Sequence, residues 1–417
     1  MAEVPMVFIL AGLAAYTVLA GADFGAGLWM LLTRPGRTDP AATRDHARHA
    51  MGPVWEANHV WLIFVLAVCW TAYPVVFGSI ASTLAAPLFI AAVGIILRGV
   101  SYALRGQVGG GRGRHLVEVL FAVASMLTPF ALAAAVGGIA SGRVPVGNAA
   151  GNAVTSWLNP TSVVIGVLGV AAGGHLAAVY LAADARRLGE QSLELDFRAR
   201  ALGSGVVAGG LALAGLLVAR ADAPALYDGL TRDGGAVMVG ISAAAGLATL
   251  VLVWRSRFGP SRVTAALAVA ATLAGWALAQ RPFALPGLTV EQAAAGRTTL
   301  LAVIVAVAAG AVVLVPSLVL LFHLFLRGRL DPAAEPAAAA ATRPATGPGT
   351  PHRMAQAVAA AVTLLAGVVL TSVVGSGWPL AVGVGCLIAC AVATFGLATT
   401  DIDTERSNGR AAVRRDR

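Results

Sequence analysis

The chain has 417 residues, 58% of them apolar and only 12% charged, whereas an ordinary soluble domain carries about 25% charged residues. Its formal net charge is +9 and every basic residue is arginine. With a mean hydropathy of +0.80, this excludes a soluble domain, and arginines confined to short loops between apolar runs point away from nucleic acid. The composition is that of a polytopic membrane protein.

Eleven candidate spans follow in chain order. The first, 4–32, comes after an N-terminus with no basic region and reads as a membrane helix rather than a signal peptide. Next are 53–73, 75–104, 115–139, 157–183 and 200–220. Then come 235–254, 263–280 and 298–326, and, after a break, 356–375 and 378–400. With Arg200 and Arg220, at the two ends of the sixth span, counted in their adjoining loops, loops after odd-numbered spans hold 23 of the 29 arginines and loops after even-numbered spans hold 5. The remaining one, Arg98, lies within a span. This alternation predicts an N-terminus outside and a C-terminus in the cytoplasm.

Loops are short, so neighbouring helices are expected to run antiparallel as in a bundle. The exception is DPAAEPAAAAATRPATGPGTPHR, rich in Pro, Ala and Gly, which reads as a flexible cytoplasmic linker. The expected organisation is a membrane domain over 1–330, the linker over 331–354, a two-helix transmembrane hairpin over 355–400 and a charged cytoplasmic tail over 401–417.

A charge at mid-membrane costs at least about 2.5–3.5 kcal/mol, so each one needs a partner or a task. The candidates are Asp23, Glu56, Arg98 and Glu118. Asp23 lies about 14 Å and Arg98 about 9 Å from the cytoplasmic ends of their spans at 1.5 Å per residue. Glu56 and Glu118 open theirs. All four gather in the cytoplasmic half. The pattern suits a proton path entering from the cytoplasm, and equally an ion pair of Arg98 with Asp23 or Glu56.

The stretch GPVWEANHVW, residues 52–61, opens the second span. Pro53 suits a first helical position, and Glu56 then lies near the positive end of the helix dipole. Glu56 and His59 share one face, and Trp55 and Asn58 another. A carboxylate and an imidazole one turn apart form a candidate proton relay. The competing reading makes Trp55 and Trp61 interfacial anchors around wet polar groups.

Other chemistry is sparse. His175 and His323 lie within spans and are expected to be hydrogen-bonded structural groups; two lone histidines do not make a haem site. Cys69, Cys386 and Cys390 all fall in apolar spans without redox or metal spacing and read as small hydrophobes. GQVGGGRGR at 106–114 lacks the Lys-Ser/Thr of a phosphate loop, and no HExxH, GxSxG or dinucleotide fingerprint is usable.

GPVWEANHVWLI resembles the signature of subunit II of cytochrome bd-type quinol oxidases. GADFGAGLWML, RGVSYALR, HLAAVYL with FRARA, and LPGLTVEQAAAGRTTLLAVI are similar to that family in the same order, over about residues 4–330. The resemblance implies an all-α fold of two four-helix bundles plus a peripheral helix, here followed by the extra hairpin. It implies a heterodimer with subunit I, which carries the haem b and haem d groups, in a bacterial inner membrane. The complex oxidises quinol, reduces oxygen to water and takes its protons from the cytoplasm. Subunit II supports assembly and contributes part of the proton route. The acid of the family motif matches Glu56, which places His59 and Asp23 beside it as pathway residues and Trp55, Asn58, Trp61 and Arg98 as structural or partner-facing ones. The resemblance leaves room for a structural quinone and for a small accessory subunit. Where the family often reads Asp-Gly-Phe-Asp-Leu-Gly, the first acid is Ala20 here and only Asp23 remains.

Two rival classes stand beside the oxidase subunit. One is a proton- or ion-coupled secondary transporter using Asp23, Glu56 and Arg98, which should show broken helices or inverted repeats at mid-membrane. The other is a membrane scaffold with no transport role. Copurification of haem with a second large subunit separates them from the first reading.

Overall fold

A computed structural model describes residues 1–33, 38–51, 55–104, 112–326 and 382; for residues 49–51, 55–57, 102–104, 112–116, 315 and 318–326 it describes the backbone alone. The chain divides into two units, Met1–Pro316 and Ser317–Arg417. Of the second, only 317–326 and 382 are described, so the linker, the tail and, residue 382 apart, the two last expected spans lie outside the described residues.

Helix α1 spans Val4–Leu31 and has proline in its first turn, where a missing N–H is no loss. A short helix absent from the sequence reading, α2 (Pro40–Met51), follows. Thr43, His46 and Ala47 are its buried stripe, at the spacing of one helical face. Helix α3 spans Trp55–Ala72; the expectation that Pro53 opens it lies outside the described residues.

The expected span 75–104 is not one helix. It divides into α4 (Pro74–Thr83) and α5 (Ala85–Leu104), bent by 81°. Pro87 explains the break. It cannot donate to the carbonyl of Thr83, and its ring collides with that carbonyl in a continuous helix. Helix α4 then holds the loop that follows α6 (Arg112–Ala140). Ser79 Oγ accepts from Gly147 N at 2.9 Å and Ser82 Oγ from Ala149 N at 2.7 Å.

Helix α7 (Pro160–Leu188) is bounded at both ends by its own sequence. Asn159 caps it by accepting from Ser162 N, and Gly189 closes it at φ 76°, a left-handed conformation glycine adopts without strain. Arg186 and Arg187 in its last turn complement the helix dipole. Helix α8 spans Gln191–Asp222. Its final carboxylate would oppose the dipole, but it is taken up elsewhere. Asp222 accepts from Arg143 at 2.7 and 2.9 Å and from the hydroxyl of Thr161 at 2.6 Å. It also accepts from Thr161 N at 3.1 Å, an anion seated on the N-terminus of α7. The hydrogen bonds that Arg143 donates to Asp222 raise its pKa above the ordinary value.

Three further helices and a hairpin complete the unit: α9 (Pro224–Thr231), α10 (Asp233–Trp254) and α11 (Phe258–Gln280), then strands β1 (Phe283–Leu285) and β2 (Leu288–Thr289). The hairpin departs from the all-α expectation. Its strands pair antiparallel, Phe283 with Thr289 and Leu285 with Leu288, around Pro286 and Gly287, the latter at φ 76°. A single turn, α12 (Val290–Ala293), begins with a reciprocal Thr289–Gln292 cap. Helix α13 (Arg297–Leu326) is the last of these elements.

Among the described residues, seven helices are long and apolar enough to cross a membrane: α1, α6, α7, α8, α10, α11 and α13. The bent α4–α5 pair makes eight if it counts as one span, and the apolar part of α3, Asn58–Ala72, is shorter. The protein is a multi-pass, mostly helical membrane protein. Helix α7 packs against α1, α6, α8 and α11. Small side chains let the backbones close: a Cβ on Gly25 would lie 2.0 Å from the carbonyl oxygen of Gly173. Such small-residue seams drive helix association where lipid removes the hydrophobic incentive.

Candidate functional site

Arg98 sits in α5 and Asp23 in α1, each side chain 3% exposed. One terminal nitrogen of Arg98 donates to the Asp23 carboxylate and, at 2.9 Å, to the Asp23 backbone carbonyl. The other donates to Ser125 Oγ at 2.7 Å, and Ser125 donates onward to Phe121 O. The guanidinium lies between two aromatic rings, 4.7 Å from the Phe24 centroid and 4.6 Å from Phe121. Desolvated cation–π contacts of this kind are worth about 2 kcal/mol each. Gly27 admits the arrangement, since a Cβ there would lie 2.2 Å from Ser125 Oγ.

The second Asp23 oxygen, Oδ2, has no hydrogen-bond partner. Beside this pair stands His59 of α3. Its ring centroid is 6.0 Å from that of Tyr16 and 6.1 Å from that of Phe24. Both His59 nitrogens and the Tyr16 hydroxyl are likewise without a partner. Asn58 is buried and donates to Leu19 O at 3.3 Å, so it stitches α3 to α1. Trp61 is half-buried, 6.4 Å edge-on to Phe64 and packed on the cluster of Tyr16, Ala20 and Phe24. Glu56 is the second residue of α3, one turn before His59. Its side chain and that of Trp55 lie outside the described residues.

The structure therefore joins three of the expected residues, Asp23, Arg98 and His59, and selects Asp23 as the partner of Arg98. Glu118 is half-buried in α6. Sequence reasoning missed Tyr16, Phe24, Phe121 and Ser125. The available signal for Tyr16 was its place seven residues before Asp23, on the same face of α1.

The remaining described histidines hold helices together. His175 Nδ1 donates to Ala201 O at 3.0 Å and His46 Nε2 to Leu181 O at 3.0 Å. Among the described residues, no three His, Cys, Asp or Glu side chains gather where they could hold a metal ion. Cys69 is a free, half-buried thiol.

Comparison with known proteins gives a consistent result. The family model for cytochrome bd terminal oxidase subunit II matches residues 1–325. The chain is 26% identical over 114 residues to the cytochrome bd ubiquinol oxidase subunit 2 of Bacillus subtilis, covering 27% of this chain and 32% of that protein. It is 25% identical over 130 residues to the cytochrome bd-I ubiquinol oxidase subunit 2 of Escherichia coli, covering 31% and 33%. The aligned part thus spans about a third of those relatives. A solved structure of bd oxidase from Geobacillus thermodenitrificans superposes with a TM-score of 0.64 at 26% identity, over 78% of this chain and 98% of the matched one. With the family model matched over residues 1–325 and the fold shared with a solved bd oxidase chain, this protein belongs to the cytochrome bd terminal oxidase subunit II family.

Proposed function

We propose that the chain is the haem-free subunit of a complex that oxidises quinol and reduces oxygen to water, and that its own part is to support subunit I and deliver protons from the cytoplasm. In this reading its helices form two four-helix bundles with α13 peripheral, and the haem b and haem d groups reside on subunit I. Reduction of oxygen to water consumes protons, so a route must reach the buried reaction site. The observation that carries the reading is the buried Arg98–Asp23 pair with His59 beside it, one turn along α3 from Glu56. Arg98 fixes a charged point within apolar helices, and Glu56 and His59 are groups able to exchange protons at the approach to it. The matches lend no support to an ion-coupled transporter.

The test starts with purification in mild detergent. A haem spectrum and a second large subunit should accompany the chain; a colourless monomer overturns the reading. Glu56→Gln should then assemble with a full haem complement but turn over about 10²-fold more slowly, the lower end of what a positioned proton donor contributes. Glu56→Asp should keep part of the rate. A parental rate for Glu56→Gln would make the carboxylate structural.

Deleting residues 340–417 is expected to leave haem content and quinol oxidation intact. The family match ends at residue 325, and 98% of the matched bd oxidase chain is accounted for by 78% of this one. A truncated complex that assembles with full haem but is inactive would assign the C-terminal segment a catalytic part.

A further inference from the structure

Four side-chain atoms on α1 and α3 have no hydrogen-bond partner: Tyr16 Oη, Asp23 Oδ2 and both ring nitrogens of His59. Tyr16 is 6% and Asp23 2% exposed. Native folds leave very few buried polar atoms unpaired, and four along one pair of packed helices demand an occupant.

Their arrangement is ordered. Tyr16 and Asp23 are seven residues apart on α1, two turns on one face and about 10 Å along the axis. Helix α3 runs antiparallel beside it: Asn58 bonds to Leu19 O, and Phe64 lies against Gly12. His59 touches the rings of Tyr16 and of Phe24, the neighbour of Asp23. Along the helix axis the imidazole therefore lies between the levels of Tyr16 and Asp23. Going along α3 from Glu56, the order is His59, then Tyr16.

The donor inventory identifies what fits between them. The free carboxylate oxygen accepts; the neutral imidazole donates at one nitrogen and accepts at the other; the phenol does both. A buried water needs two to four partners of mixed character, and this set supplies them. A metal ion does not fit, because the one carboxylate is already paired with Arg98.

We propose that Tyr16, His59 and Asp23 line a water-holding pocket between α1 and α3, and that Tyr16 is a proton-relay residue at its far end from Glu56. This rests on the proton-delivery reading above. As a proton arrives on the phenol oxygen from one pocket water, the hydroxyl's own proton passes to a second. The ring is neutral before and after, so nothing is oxidised or reduced.

Tyr16→Phe removes the hydroxyl and keeps the ring. In the whole complex it should retain parental haem content, lose about 10²-fold in turnover and show a larger solvent deuterium isotope effect. Tyr227→Phe, the same change at a half-buried tyrosine of α9, should match the parent. A parental rate for Tyr16→Phe beside a slow Glu56→Gln overturns the Tyr16 proposal while the delivery reading stands. Parental rates for both overturn the two together. Hydroxyl-radical footprinting of the parent complex tests the pocket without any variant, and decides the matter should Tyr16→Phe not assemble. Tyr16 should be labelled by radicals formed from adjacent water. An unlabelled Tyr16 beside a labelled, half-buried Tyr227 shows a dry site and overturns the proposal.

Discussion

Arg98→Ala is expected to remove most of the assembled complex from the membrane. The arginine holds the Asp23 carboxylate, the Asp23 carbonyl and Ser125 at once, between Phe24 and Phe121. Removing one member of a buried pair costs about 3–5 kcal/mol, because the other charge is left unpaired. A domain is stable by only about 5–15 kcal/mol, so the loss is a large fraction of the whole. Arg232→Ala is the control: that side chain is 71% exposed and paired only with a neighbour on its own turn, a contact worth about 0–1 kcal/mol. Arg98→Lys should fail as well, since an ammonium cannot span three acceptors in a planar fork. The double variant Asp23→Leu with Arg98→Met removes both charges, and its yield should recover, as apolar replacements of buried pairs often do. Haem content per milligram of membrane protein reads all four. Equal yields from Arg98→Ala and Arg232→Ala would dismiss the ion pair as a structural element.

The second large effect is expected at Gly25. A methyl group there would meet the carbonyl oxygen of Gly173 at 2.0 Å, its carbon at 2.4 Å and Ala177 Cβ at 2.8 Å. Overpacking a formed core costs about 1–3 kcal/mol, and here the obstacle is backbone, which has no rotamer to change. Helix α7 would have to back away from α1, and Asp23 is only two residues from the point of contact. Gly25→Ala should therefore lower both yield and thermal stability of the complex. Gly203→Ala, at a position with nothing within 4 Å, should leave both alone. A Gly25→Ala complex melting at the parental temperature would show that the helices do not meet as described.

Most of the spans were legible because an apolar run long enough to cross a membrane admits few other readings. Their ends were less so. The expected fifth span stopped at 183, but α7 continues to Leu188, and the expected sixth began at 200, but α8 begins at Gln191. Hydropathy marks where lipid ends, and a helix does not end there: Asp184, Arg186 and Arg187 stay helical in a polar setting. The break before α5 was written in Pro87, yet the apolar run masked it. At the site, charge made Asp23 and Arg98 conspicuous, because an ionised group in a span must be explained. Which acid Arg98 meets was not readable, since that depends on how three helices rotate about their axes. Tyr16 was invisible for a different reason. A tyrosine in an apolar helix has the composition of packing, and only the unpaired hydroxyl in the folded chain distinguishes it.

The bend at Leu84 has a consequence for how the protein sits in lipid. An uninterrupted helix over 75–104 would be about 45 Å long, whereas the 20 residues of α5 make about 30 Å, the hydrocarbon thickness of a typical bilayer. The longer helices, such as the 32-residue α8, have turns to spare and can absorb a thicker or thinner membrane by tilting. Helix α5 has none. It is also the helix that carries Arg98, so acyl-chain length joins Asp23 and Ser125 in setting the depth at which that guanidinium is held.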